Sequence, residues 1–213
     1  MTAPRLRVEG LRVAYDGAPP VFDDWSVTLD ADCRVALLFG DSGSGKTTLL
    51  RVLAGELAAS AGRIVVAGRA WDGDREGWRR QVCRIDPSTT AFDAMTPAAF
   101  VDQWRDRYPD FDGDDWQRHV DGFGLAPHLG KRFDQLSTGT RRKTWIAASL
   151  AGGAPLTLLD EPTAALDRPS IDHLWRSLAA AADDDERPDR LVLVASFDRP
   201  PGVRFDAVVA LPG

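Results

Sequence analysis

The sequence is poor in the residues on which several protein classes depend. Of its 213 residues only two are cysteines, Cys33 and Cys83. A disulfide framework is excluded, and a chain of this length needs none to fold, so a reducing, cytoplasmic setting is expected. No run comes near the roughly 20 consecutive apolar residues that span a bilayer. The opening Met1-Thr2-Ala3-Pro4-Arg5 leads into no apolar segment of the kind a secretory signal needs. Any membrane role is therefore expected to run through a partner. Positive charge is short as well: 26 Lys and Arg stand against 32 Asp and Glu, a formal net charge of −6. That balance disfavours general attraction to nucleic acid or to an anionic lipid surface, and no nucleic-acid partner is expected. Repeats, linkers and low-complexity tracts are missing too. With 44% hydrophobic and 27% charged residues, what remains is an ordinary globular composition, long enough for one large domain or a core with an insertion.

What is present divides by hydrophobic period. Short β-branched or alternating runs at Leu6–Val13, Trp25–Leu29, Arg34–Phe39 and Arg63–Ala67 predict strands, punctuated by Gly17, Pro19, Pro20 and Gly62. One helix is predicted among them, Lys46–Leu57, carrying Leu49, Leu50, Leu53 and Leu57. From about Thr96 to Ala151 the period becomes helical. Thr96-Pro97 reads as an N-cap and first-turn proline ahead of Phe100, Val101, Trp104 and Tyr108. Trp116, Val120 and Phe123 mark a second helix, and Ser137 caps a third that ends near Ala151. Unbroken apolar runs at Leu156–Leu159 and Leu191–Ala195 carry the mark of parallel strands buried on both faces, and Arg204–Leu211 is the last predicted strand. A helical block is thus expected inside an α/β core. The run Asp183–Glu186 reads as a solvated loop, and His119, His128 and His173 read as surface residues of helices and loops.

The strongest chemical signal is Gly40-Asp41-Ser42-Gly43-Ser44-Gly45-Lys46-Thr47, a G-x-x-x-x-G-K-T run between an apolar strand and a helix. Such a loop turns successive backbone N–H groups around a polyphosphate, and the helix N-terminus adds partial positive charge. Lys46 then reaches the terminal phosphates and the Thr47 hydroxyl is placed for Mg²⁺. The second signal is Leu156-Thr157-Leu158-Leu159-Asp160-Glu161, an apolar strand ending in two carboxylates. At the edge of the same sheet Asp160 is suited to the Mg²⁺ shell and Glu161 to polarising a water.

With these residues in view, the chain resembles the ATP-binding subunit of an ABC transporter. Leu136-Ser137-Thr138-Gly139-Thr140 resembles that family's signature, usually Leu-Ser-Gly-Gly-Gln, and opens a helix upstream of the Asp160-Glu161 strand. Ala164-Ala165-Leu166-Asp167 resembles the D-loop that follows, and Tyr15 fits the aromatic residue that stacks on adenine. The resemblance implies a RecA-like P-loop NTPase core of α/β class, with an N-terminal antiparallel β portion and an α-helical subdomain inserted at about 87–151. It implies ATP with Mg²⁺ as cofactors, held by Tyr15, the loop from Gly40 to Thr47, and Thr48. It also implies a head-to-tail dimer, of like or unlike chains, in which Ser137, Gly139 and Asp167 serve the shared nucleotide. The partner would be a transmembrane permease that holds the subunit peripherally on the inner membrane face. Export is the expectation over import, because no regulatory region follows the last strand.

Two departures stand beside the likeness. Where the family places a coupling glutamine after the strand Val82-Cys83-Arg84-Ile85-Asp86, this chain has Pro87, with neither an amide nor an N–H. Where the family places the switch histidine that contacts the γ-phosphate, this chain has Phe197, leaving Ser196 or Asp198 as substitutes. Slow hydrolysis is one implication. The rival readings are an ABC-like subunit that binds ATP with weak hydrolysis, a non-transport ABC protein, and a small-molecule P-loop kinase.

Overall fold

The computed structural model describes residues 3–184, 189–200 and 203–211. Strand β1 (Leu6–Ala14) buries Leu6, Val8, Leu11 and Val13. It pairs antiparallel with β2 (Pro20–Leu29) and β4 (Ala61–Val66), and β5 (Arg69–Ala70) completes the order β2-β1-β4-β5. Strand β2 begins at Pro20, earlier than the predicted Trp25. A proline is harmless there because it opens an edge strand, where no ladder N–H is lost.

The second sheet is parallel throughout. It joins β3 (Val35–Phe39), β6 (Val82–Arg84), β7 (Leu156–Asp160), β8 (Leu191–Ser196) and β9 (Ala207–Ala210) in the order β6-β7-β8-β3-β9. Every residue of β8 is buried, as its unbroken apolar run predicts. Strand β9 is shorter than the predicted Arg204–Leu211. The antiparallel and parallel sheets together with the helices make a RecA-like α/β core with an antiparallel β portion.

Helix α1 (Lys46–Leu53) stops short of the predicted Leu57. Its cap, Ala54, is followed by Gly55 at φ 69°, the left-handed residue with which helices commonly end. Helix α2 (Arg75–Gln81) has no counterpart in the sequence expectations. It buries one side chain, Trp78, whose Nε1 donates to Leu53 O at 2.7 Å. One apolar residue leaves no period to read. Between β6 and β7 come α3 (Pro97–Arg107), α4 (Gly113–Gly122) and α5 (Thr138–Ala151). The caps read from sequence are in place, with Thr96 accepting from Ala99 N at 3.2 Å and Ser137 from Thr140 N at 3.1 Å. After α6 (Arg168–Ala182), Asp183 and Asp184 leave the helix, whereas Asp185 and Glu186 lie outside the described residues.

Strand β3 sends alternate side chains to two cores. Val35 and Leu37 join Phe100, Trp104, Trp145, Leu174 and Leu178 on the helical side. Ala36 and Leu38 join Leu6, Phe22, Leu49, Leu53 and Trp78 on the antiparallel side. Phe100 is the aromatic hub of the first core, with ring centroids of Phe92 and Trp104 each 4.8 Å away and that of Phe133 at 5.6 Å. Truncating such a residue to alanine typically costs about 3–5 kcal/mol.

The histidine expectation is corrected in one case. His119 is buried, 3% exposed, with Nδ1 3.1 Å from His173 Nε2 and Nε2 3.3 Å from Asp115 Oδ1. Burial lowers its pKa to about 4. Room for the pair comes from Gly122, where an added Cβ would fall 2.0 Å from His173 Cε1.

Candidate nucleotide site

The loop between β3 and α1 is shaped by glycine. Gly43 and Gly45 have φ of 87° and 91°, and a Cβ on Gly45 would lie 2.7 Å from Val21 Cγ1. Gly45 is also the N-cap of α1, so no side chain caps that helix and no acidic residue stands in its first turn. Its orphan N–H groups are therefore left for an external acceptor. Lys46 is only 7% exposed, and its Nζ donates to Gly40 O at 2.6 Å and Asp41 O at 2.9 Å. A cavity of about 690 Å³ opens over the loop, lined by Ser42, Gly43, Gly45, Lys46, Thr47 and Thr48.

Across that cavity stand Glu161, Thr163, Ala164 and Phe197. Glu161 Oε1 is 3.6 Å from Lys46 Nζ. Its backbone is left-handed, φ 42°, held by its N–H to Ala195 O at 2.9 Å and by Arg142 Nη1 donating to its carbonyl at 2.6 Å. Non-glycine residues in that region cost energy and cluster at functional sites. Burial raises the Glu161 pKa and Asp160 adds to the rise, against the pull of Lys46 and a backbone hydrogen bond from Phe197. A carboxylate moved toward neutrality in this way is suited to accept a proton from water.

The implied groups fit the residues present. Ser44 Oγ, Asp160 Oδ1 and Glu161 Oε2 are buried without a protein partner, as are Nε of Arg84 and Arg142 behind the two carboxylates. A buried lysine beside an uncapped helix N-terminus suits a phosphate chain. One hydroxyl at Thr47 and one carboxylate at Asp160 suit Mg²⁺, which takes few protein ligands and keeps substrate phosphates and waters.

The remaining sequence candidates are distributed as follows. Tyr15 is 41% exposed and its hydroxyl lies 3.1 Å from Thr48 Oγ1, tying it to α1 beside the loop, though it does not line the cavity. Ser137 and Gly139 open α5 and do not line the cavity of their own chain. Gly139 is required by contact: a Cβ there would sit 2.6 Å from Ala165 O, itself in a left-handed residue with φ 62°. Asp167 caps α6 by accepting from Ser170 N at 3.0 Å, and Lys143 Nζ donates to it at 2.9 Å. The hydrogen bonds from Ser170, then Lys143, lower its pKa to about 2. Phe197 lines the phosphate cavity, whereas Ser196 and Asp198 line a neighbouring one, and Asp198 N donates to Ser196 Oγ at 3.2 Å. Two arginines that sequence reading passed over, Arg84 and Arg142, reach Asp160 and Glu161 from β6 and α5. Neither has a local signal, because each meets its partner only through the fold.

A parallel sheet with a glycine-shaped, lysine-bearing loop at the end of β3 defines the class of P-loop nucleotide-binding proteins. Within it the chain belongs to the ABC transporter family, whose sequence profile matches residues 22–164. It is 39% identical over 63% of its length to the molybdenum import ATP-binding protein ModC of Albidiferax ferrireducens, and spans 38% of that protein. It is 34% identical to the cytochrome c biogenesis ATP-binding export protein CcmA of Ruegeria pomeroyi, over 78% of this chain and 74% of that one. The solved structure of an ATP-binding subunit of an ABC transporter shares the fold at a TM-score of 0.75 and 22% identity, covering 90% of this chain and 78% of that one. No helix among the described residues is long and apolar enough to cross a membrane.

Proposed function

We propose that this chain binds and hydrolyses ATP with Mg²⁺ and drives a transmembrane permease by closing and reopening a dimer. The observation that carries the reading is the facing of buried Lys46, on an uncapped helix N-terminus, with Glu161 across one cavity. Lys46 and the loop would hold the phosphates, and Thr47 and Asp160 would hold Mg²⁺. The cation supplies charge neutralisation on the transferred phosphoryl group. Glu161 takes the proton of the attacking water. Ser137, Gly139 and Asp167 would serve the nucleotide of a second subunit, in keeping with their place outside their own chain's cavity. Residues 87–151 would form the helical subdomain that follows the permease, on the inner membrane face. ModC is named for import and CcmA for export, so the export expectation gains no support from a site of this kind.

Phe197 favours a second reading, in which the subunit binds ATP but turns it over slowly. It presents to the cavity a ring with no hydrogen-bonding group, and Ser196 and Asp198 line the neighbouring cavity. The test is direct. Purified chain with Mg²⁺-ATP should bind nucleotide and release inorganic phosphate. Binding without release selects the second reading, and absence of both overturns the proposal.

A further inference from the structure

Arg84 ends β6 with a side chain only 2% exposed, yet it sits among three carboxylates from three parts of the chain. Nη1 donates to Glu56 Oε2 at 2.6 Å and lies 3.8 Å from Asp86 Oδ2, while Nη2 lies 3.8 Å from Asp160 Oδ2. The other oxygen of Asp160, Oδ1, is buried and without a partner. At 3.8 Å the Arg84–Asp160 pair is an ion pair without a hydrogen bond, so a buried cation biases the carboxylate's orientation while Oδ1 keeps no protein partner. Glu56 lies just past α1, so the same guanidinium also ties the phosphate-loop helix to β7.

We propose that Arg84 is a positioning residue for Mg²⁺: hydrogen-bonded to Glu56 and ion-paired with Oδ2 of Asp160 at 3.8 Å, it biases that carboxylate so that Oδ1 stays available to the cation. The inference rests on the nucleotide reading given above. A bland alternative is that Arg84 only balances the charge of the acids around it. The two differ in what restores function, because partners that orient a metal ligand typically govern about tenfold to a hundredfold of metal affinity. A group that only balances charge is replaceable by removing the charge it balances.

The experiment compares a fluorescent ATP analogue bound with Mg²⁺ and with EDTA, alongside melting temperature, in four proteins. The parent should bind more tightly with Mg²⁺. Arg84→Met should bind as the parent does in EDTA, but lose about tenfold to a hundredfold of the Mg²⁺-dependent gain. Arg84→Lys should recover part of the gain, since an ammonium keeps the charge without the planar fork. The double variant Arg84→Met with Glu56→Gln removes the half-exposed carboxylate that loses its hydrogen-bond partner, so it should recover melting temperature while the Mg²⁺ gain stays lost. It also carries the test should Arg84→Met fold poorly. Recovery of both properties in the double variant, or a parent-like Mg²⁺ gain in Arg84→Met, overturns the inference. A parent that binds no nucleotide in either condition overturns the nucleotide reading, and the role of Arg84 with it.

Discussion

The two walls of the nucleotide cavity are built differently. The loop wall works through backbone: left-handed glycines, an uncapped helix and one buried lysine held by its own loop's carbonyls. The opposite wall works through side chains at the ends of β7 and β8, and there Phe197 presents an apolar ring to the cavity. Backbone chemistry survives most substitutions, whereas side-chain chemistry changes with a single residue. On the proposed function, then, holding a polyphosphate and cutting it should be separable properties, the first resting on the loop wall and the second on the opposite one.

Glu161→Gln should divide the walls most sharply. The amide keeps the shape but cannot accept a proton, so turnover should fall by about a hundredfold or more while nucleotide binding stays intact. It should also trap the ATP-bound dimer, seen as doubled mass in light scattering; parent-like turnover removes Glu161 as the base. Lys46→Ala strikes the other wall. Loss of a charge-assisted contact in a buried site should weaken ATP by on the order of a hundredfold, measured as a dissociation constant. An unchanged constant would mean that the loop is not the phosphate site.

A smaller effect is expected at Phe197, which is 57% exposed on the cavity wall. Phe197→His should raise steady-state hydrolysis about tenfold, part of the hundredfold to thousandfold that a preorganised donor is worth. Asp198→Ala should be neutral, because Asp198 lines the neighbouring cavity. If Asp198→Ala is the costly change and Phe197→His the neutral one, the segment works by compensation. Gly139→Ala should be the mildest, destabilising the chain by about 1–3 kcal/mol in urea titration as the new methyl meets Ala165 O. No loss there would mean that the opening turn of α5 shifts freely.

Legibility followed the same division. The loop could be read because glycine, lysine and the strand-to-helix switch are local features, and the caps at Thr96 and Ser137 were read for the same reason. Strands β7 and β8 showed as apolar runs because both their faces are covered. Arg84, Arg142 and the His119–His173 contact could not be read, since each joins residues distant in sequence and depends on register between elements. Helix α2 escaped for a different reason: a single tryptophan carries its burial.

Strand β3 lends alternate residues to both cores, and this has a consequence for how the molecule opens. Amide exchange should resolve two cooperative units with separate opening free energies. The amides of β3, hydrogen-bonded between β8 and β9 and shared by both units, should exchange last. A disturbance that loosens α3 to α5 should then leave α1 packed on the antiparallel side, so the helical half is expected to yield before the lysine-bearing loop moves.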